Sequence, residues 1–556
     1  MKNSKLICFV FLLLACNCFA QMRQDHVSFY SGDQSGESYG SFVKTDNNGN
    51  YFVAGRSNGY GTKLDYAIVK YSSAGEIIWE RRYNGAVNGN DEPFGLIVDA
   101  AGNSYITGSS QYPSNKKLYE CVTIKYNPVG KTEWINVYRN SSNINAHGHS
   151  MTMDQEGNVY LAGYTGNDES KDVLLMKINR NGETVWTSSY DANSFSADYT
   201  NNISIYKDHL YVCGGELGDG TFLDYLVLKF DVNGNLLWHR SHNGTSNGLD
   251  IARAIFVDKN EDVYVTGYTE NKDTKLDITT IKYNSDGDQL WVTDHNGTGD
   301  GFDWPNHVMV DDFGNVYVEG GTQNERETDP ECHAELGKCR NDATLIKYLP
   351  SGNIDWIRLY NGPDNMYDCL QGMTLDKDNN IYVGGRSHSS ESGTNDDIIT
   401  MKYNSRGAML WFMKYNSGTG KNDYGNAIAV DNTGNVFTSG FSDARGAYDF
   451  VVVKYSPSDV SDAPVQKTDL NNYPNPFNPS TKISFDLSQS SFVTLKIYDV
   501  TGREILTMVN EKLSAGDHSY TFDAAKLNSG VYFYKLETTG DDGNKLLMTR
   551  KMMLVK

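Results

Sequence analysis

Basic residues are in short supply in this 556-residue chain: Lys and Arg number 49 against 70 Asp and Glu, a formal net charge of −21. That balance argues against nucleic acid, whose phosphates need a basic face, and against an anionic membrane surface. After residue 20 no stretch approaches the roughly 20 apolar residues of a membrane helix, so no transmembrane segment is expected in the mature chain. Proline is scarce at 12 residues, low-complexity blocks are absent, and apolar residues do not recur at helical spacing. The sequence contains no EF-hand loop, zinc motif, phosphate loop or nucleophile elbow, so neither cofactor nor metal is expected. Cysteines number eight, and three of them fall in the first 20 residues. Of the rest, Cys332 and Cys339 flank a short polar insertion and could close a small disulfide loop in an oxidising compartment. Cys121, Cys213 and Cys369 fall in or beside expected strands and read as buried unpaired thiols.

What is abundant is Gly (53) and Tyr (37), a mixture suited to many strands joined by tight turns. Residues 1–20 read as an export signal: Lys2 and Lys5, an apolar core Leu6–Ala15, and small residues at Cys18 and Ala20. Cys16, after Leu13-Leu14-Ala15, leaves a lipoprotein reading open.

Seven tryptophans recur at Trp79, Trp134, Trp186, Trp238, Trp291, Trp356 and Trp411, spaced by 52 to 65 residues. Each interval holds four strand-like runs, the mark of a β-propeller. Strand A ends in Asp, as in Ile255-Phe256-Val257-Asp258; strand B is a Tyr-Val-Thr-Gly run, as in Tyr264–Gly267; strand C opens on an acid and ends Lys-Tyr; strand D carries the tryptophan. Strands B and C occur eight times but the tryptophan strand only seven. His26–Gly32 aligns without a gap on Trp79–Gly85, which predicts that the N-terminal strand completes the last blade and removes an open sheet edge. The expectation is an all-β chain: an eight-bladed β-propeller over 21–457, then a small C-terminal β-sandwich. Residues 426–455 (NAIAVDNTGNVFTSGFSDARGAYDFVVVKY) resemble the bacterial beta-propeller repeat family, a resemblance that implies the fold and little about activity.

Residues 458–470 break the period with Ser, Asp and Pro and read as a linker. Residues 471–556 then alternate apolar and polar positions at Ile483/Phe485/Leu487, Val493/Leu495/Ile497, Tyr520/Phe522 and Tyr532/Tyr534/Leu536. This segment resembles the type A C-terminal sorting domain of the type IX secretion system. The matching runs are YPNPFNPST, IYDVTGREI, LSAGDHSYTFDA, SGVYFYKL and the terminal KMMLVK, and their signal residues include Tyr473, Pro474, Asn475, Pro476, Phe477, Gly502, Gly530, Tyr532, Lys551 and Lys556. The resemblance implies the secretion machinery as partner and a secreted or outer cell-surface location.

Candidate ligand residues belong to the irregular D–A and B–C loops, where a repeat scaffold carries its specificity. Trp304 is the one tryptophan outside the repeat position, beside Asp303 before an A strand, and the long B–C insertion, about Gln323–Asn341, belongs to the very next blade and projects from the same face. His149, Arg253 and Asp423 lie in equivalent loops and join Trp304 and Asp303 as ligand-binding candidates. His147 and His149 stand at i, i+2 without an evident third metal ligand. The Asp that ends strand A recurs in seven units, a pattern that turn capping explains. These features predict a binding or adhesion module for a glycan or protein, with no catalytic residues assigned. A polysaccharide- or polymer-acting enzyme with its site at the channel mouth is the alternative, and a structural component of the envelope is a third reading.

Overall fold

A computed structural model describes residues 22–556 apart from 33–36, 60, 113–117, 141, 143, 168–169, 192–197, 219, 273, 324–339, 390–394, 419, 458–469, 488–489, 515 and 541–544. The expected export signal, nearly all of the expected linker, and Cys332 and Cys339 lie outside the described residues. Among the described residues the chain is all-β, and no helix is long and apolar enough to cross a membrane. It divides into two compact units, Met1–Ser458 and Asp459–Lys556.

The described residues of the first unit form eight four-stranded antiparallel sheets of the propeller-blade type. Their A strands are Ser38–Thr45, Asp91–Val98, Asn145–Met153, Tyr199–Tyr206, Ile251–Val257, Trp304–Val310, Asp368–Leu375 and Asp423–Val430, which number the sheets 1 to 8. Seven sheets use four consecutive strands. Sheet 8 takes its D strand from the chain start: Met22–Tyr30 pairs antiparallel with Asp449–Pro457, with Val27 opposite Val453 and Phe29 opposite Val451. Each A strand touches the A strands of the neighbouring sheets, sheet 8 meeting sheet 1, so A is the innermost strand.

Strands B and C are apolar on both faces because each sheet is covered twice. Tyr211, Cys213, Tyr225 and Val227 of sheet 4 pack on Ile255, Val263, Val265 and Ile281 of sheet 5. The opposite face of sheet 5, with Tyr264 and Ile278, packs on Val308, Val316 and Val318 of sheet 6. Cys121, Cys213 and Cys369 are buried free thiols in this packing.

The repeated residues have repeated jobs. Each outer tryptophan from Trp79 to Trp291 donates its indole N–H, at 3.1 Å, to a carbonyl in the C–D turn of the next sheet; Trp356 does so to Ser405 at 3.4 Å. That turn's glycine has positive φ and lies flat against the indole, as Gly287 does on Trp238. His26 stands in the tryptophan position of the N-terminal strand: its ring lies against Gly75 in the turn of sheet 1, and Ser28 Oγ donates to the Gly75 carbonyl at 3.2 Å. The Asp at the end of strand A caps the A–B turn. Asp46 Oδ1 accepts from the backbone N–H of Asn48 and Asn50, and Asp99, Asp154, Asp258, Asp311, Asp376 and Asp431 repeat this bond pattern.

Every A strand also carries a one-residue bulge, at Ser41, Phe94, His149, Asn201, Arg253, Asn306, Gln371 and Asn426. The bulge presses the carbonyl two residues before it against the glycine that ends the Tyr-Val-Thr-Gly run. A Cβ on Gly267 would overlap the Ile251 carbonyl oxygen, and the equivalent glycine of every sheet meets the equivalent carbonyl. Only glycine fits that approach.

The second unit holds a three-stranded sheet (Leu470–Tyr473, Ser480–Leu487, Gly516–Asp523) and a four-stranded sheet (Glu504–Leu513, Ser491–Asp499, Gly530–Gly540, Lys545–Leu554). Both contribute to one apolar core of Ile483, Phe485, Val493, Leu495, Ile497, Tyr534 and Leu536 among others. The proline-rich YPNPF run and the terminal strand, far apart in sequence, are bound together. Phe477 is buried, its N–H donating to the Met553 carbonyl and its carbonyl accepting from Val555, while Asn475 Oδ1 accepts from the Met553 N–H. Lys556 Nζ donates to the Ala525 carbonyl, Tyr532 Oη donates to the Asn528 carbonyl, and Gly502 supplies the positive φ of the Asp499–Arg503 turn. Tyr473 is exposed.

Candidate functional site on the inner strands

The bulge brings two levels of side chains toward the inner strands. The bulge residues themselves form one level, all polar but Phe94, and four of them link one sheet to the next. His149 Nδ1 meets the Thr200 carbonyl at 3.0 Å, Asn201 donates to Ala252 at 2.7 Å, Asn306 to Leu370 at 2.7 Å, and Asn426 to Gly40 at 2.9 Å. In each case the acceptor is the residue just before the next sheet's bulge. Arg253 departs from this pattern: its exposed guanidinium reaches the Asn306 Oδ1 at 3.5 Å.

At the register two residues before the bulge, Tyr39, His147, Trp304 and Tyr424 present rings, and further rings from neighbouring strands and loops join them. Trp304 stacks on Tyr367 with centroids 6.1 Å apart. The Arg386 guanidinium lies 4.6 Å over Tyr367 and 4.9 Å over Tyr424. Tyr424 packs on Phe441 at 4.6 Å, Phe441 on Tyr39 at 5.0 Å, and Arg56 covers Tyr39 at 5.0 Å. A second arc joins Tyr119, His147, Tyr164, His149 and Phe94, with His147 stacked on Tyr164 at 4.5 Å. Most of these rings are half-buried, while Tyr367 is buried.

The structure separates the residues that the sequence groups together. Trp304 is the first residue of the sheet-6 A strand, half-buried, rather than a loop residue. Asp303 is fully buried: Gly297 N–H, Thr322 Oγ1 and Gln323 N–H all donate to its carboxylate. Asp423 is fully buried too and accepts from Ser417 N–H and Ser442 Oγ. These two belong to a set of loop brackets with Asp91, Asp250 and Asp368, each accepting an N–H six residues upstream. Burial pushes the carboxyls of Asp250 and Asp303 up to about 6 and that of Asp368 up to about 7. His147 and His149 lie 6.4 Å apart with perpendicular rings, and burial lowers both, His147 to about 3. Among the described residues no three His, Cys, Asp or Glu side chains converge to hold a metal.

Sequence reasoning passed over His307 and Glu319. They face each other across strands A and B of sheet 6, with Nδ1 to Oε1 at 2.6 Å; Glu319 is fully buried and His307 is 48% exposed. The signal was present: the residue before the Tyr-Val-Thr-Gly glycine is Ala54, Thr107, Ala162, Cys213, Thr266, Gly384 or Ser439 in the other sheets, and an acid only here.

Residues 471–550 match the family described as the Secretion system C-terminal sorting domain. Among curated proteins, a WD repeat-containing protein, L264, of Acanthamoeba polyphaga mimivirus is 24% identical over 453 residues, covering 67% of this chain; the chain spans 31% of that relative's length. Among solved structures, the WD40 domain of SCAP from fission yeast aligns with TM-score 0.40 at 9% identity, over 79% of this chain and 99% of that one. The extracellular domain of the hybrid two component system BT3049 from B. thetaiotaomicron aligns with TM-score 0.35 at 11% identity, over 93% and 67%. The C-terminal segment of this chain is a secretion-system sorting domain, appended to repeated propeller-type sheets and marking the chain for secretion and the outer cell surface.

Proposed function

We propose that the chain is a surface-delivered saccharide-binding module. Residues 21–457 would form an eight-bladed propeller closed by the N-terminal strand, 458–470 a linker, and 471–556 a sorting β-sandwich that engages the type IX machinery. The observation that carries the reading is the belt of aromatic rings, most of them half-buried, interleaved with Arg386 and Arg56 on sheets 6, 7, 8 and 1. Aromatic faces stack on the apolar faces of sugar rings, and the guanidiniums between them offer donors to hydroxyls. Trp304 itself departs from the repeat, whereas the repeated Trp, Asp and Gly residues are consumed by the scaffold. A glycan array probed with the full chain tests this, together with Trp304→Ala and Tyr424→Ala. Binding that falls at least tenfold in both variants, with melting temperature held within a few degrees, is the expected result. Unchanged glycan binding in both would overturn the assignment of the belt.

A further inference from the structure

Burying a carboxylate is expensive unless it is fully bonded, and Glu319 is fully buried with Oε2 lacking any hydrogen-bond partner. Seven sheets put a small neutral residue at that register, so the repeat itself shows that packing does not require an acid there. A local rule broken once in eight marks a residue kept for chemistry. Its one bond is to His307 Nδ1, on the opposing inner strand, and this leaves Nε2 as the other ring nitrogen of a half-exposed imidazole. Burial raises the Glu319 carboxyl above its ordinary range, while His307 and the Arg253 guanidinium pull it back. With Nδ1 held by Glu319, the ring of His307 is fixed in orientation and Nε2 is the nitrogen left to meet a ligand. On the adjoining inner strand Arg253 is exposed, and its bulge departs from the stitching that ties up His149, Asn201, Asn306 and Asn426.

We infer that Arg253 and His307, with Glu319 behind His307, form a binding site for the carboxylate of an acidic sugar. Arg253 reaches Asn306, the residue beside His307, so adjoining inner strands offer a planar guanidinium, which matches a carboxylate's two oxygens, and an imidazole held in place from behind. Trp304 begins the strand that carries His307, so a ring stacked above and a carboxylate bound below would belong to one saccharide. The inference rests on the saccharide reading above and narrows it to uronate-containing chains. Glu319 is a positioning residue, touching the ligand only through His307.

The test is calorimetric titration of the full chain with an oligogalacturonate, with a neutral oligogalactoside of equal length, and with a sulfated oligosaccharide. The oligogalacturonate is expected to bind at least tenfold more tightly than the other two. Arg253→Gln should remove that preference, and Glu319→Gln should weaken uronate binding several-fold while leaving Trp304-dependent binding of the neutral chain intact. Equal affinity for uronate and neutral chains, or an Arg253→Gln variant that keeps the preference, would overturn the site while the saccharide reading stands. Tighter binding of the sulfated chain would overturn the carboxylate assignment. If none of the three probes binds, both readings fall together.

Discussion

Asp368 offers a test of the loop brackets in which the sign can be worked out beforehand. It is fully buried at the entry to sheet 7, with Oδ2 accepting from the Gly362 N–H at 2.6 Å and Oδ1 unpartnered. Burial is the main cause that lifts its carboxyl from 3.8 to about 7. A folded value above the unfolded one means that the protonated form belongs to the fold. Its contribution is therefore fully present below pH 4 and is lost as pH rises through 7. Asp368→Asn keeps the shape and the bond to Gly362, and it does not titrate. Between pH 8 and pH 5 the wild type should gain on this variant by about 2–3 kcal/mol, since each pH unit between the unfolded and folded pKa values is worth roughly 1.4 kcal/mol. For a protein of this size that is a change of about 2–4 °C in the gap between the two melting temperatures. At pH 8, where the wild type buries a charge, the variant should be equally or more stable. The comparison must be differential. Burial lowers His26, His147, His149, His242 and His295, and these neutral histidines withdraw stability as pH falls below 6.5 in both proteins. Paired thermal melts in steps of about 0.5 pH read the gap across the window that the linkage relation defines. A gap that is constant from pH 8 to pH 5 would refute the reasoning.

Three further outcomes are expected. His147→Gln should show the mirror image: with the wild-type imidazole lowered to about 3, the wild type loses about 2 kcal/mol relative to the variant between pH 7 and pH 5, read from the same melts. Gly267→Ala forces a Cβ into the Ile251 carbonyl and should destabilise the unit by about 3 kcal/mol or more in urea unfolding, whereas the neighbouring Thr266→Ala should cost about 1 kcal/mol. Phe477→Ala removes a buried ring that packs on Phe522 and joins the YPNPF run to the terminal strand; about 3–5 kcal/mol of sorting-domain stability and most surface delivery should be lost, measured by cell-surface labelling.

Much of the scaffold was legible because repetition exposes structural residues. An Asp that recurs after strand A reads as a turn cap from sequence alone, and the N-terminal strand can be assigned to the last sheet by counting strands rather than tryptophans. The bulge was not legible. A single extra residue present in every unit cancels in any alignment of the units with each other, so nothing in the spacing betrays it. Its consequence is visible as the glycine of Gly55, Gly108, Gly163, Gly214, Gly267, Gly320, Gly385 and Gly440, whose role is close approach of a carbonyl rather than positive φ. The same logic sorts the site. Asp303 and Asp423 stand out in the sequence as acids in irregular loops, yet with Asp91, Asp250 and Asp368 they recur at the end of that loop, and recurrence again means structure. Glu319 recurs nowhere. The tyrosine belt was hidden for a different reason: Tyr39, Tyr367, Tyr424 and Phe441 come from three sheets and meet because sheet 7 touches sheet 8 and sheet 8 touches sheet 1.

The stitching between bulges gives a final way to separate stability from recognition at one position. His149, Asn201, Asn306 and Asn426 reach across to the carbonyl before the next bulge, and for Arg253 the equivalent acceptor is the Pro305 carbonyl. Arginine is too long for that bond, and its guanidinium extends instead to Asn306 Oδ1. Arg253→Asn should therefore complete the missing link, adding one inter-sheet hydrogen bond worth about 1 kcal/mol and raising the melting temperature by about 1 °C. The same substitution removes the cation proposed to hold a ligand carboxylate, so uronate binding should fall by at least tenfold as stability rises. A protein evolved only for rigidity would carry asparagine there, as sheets 4, 6 and 8 do; arginine is the choice of one that gives up a link to keep a charge. An Arg253→Asn variant that melts lower than the wild type would show that the link cannot form. One that melts higher and still prefers uronate would show that the charge serves something else.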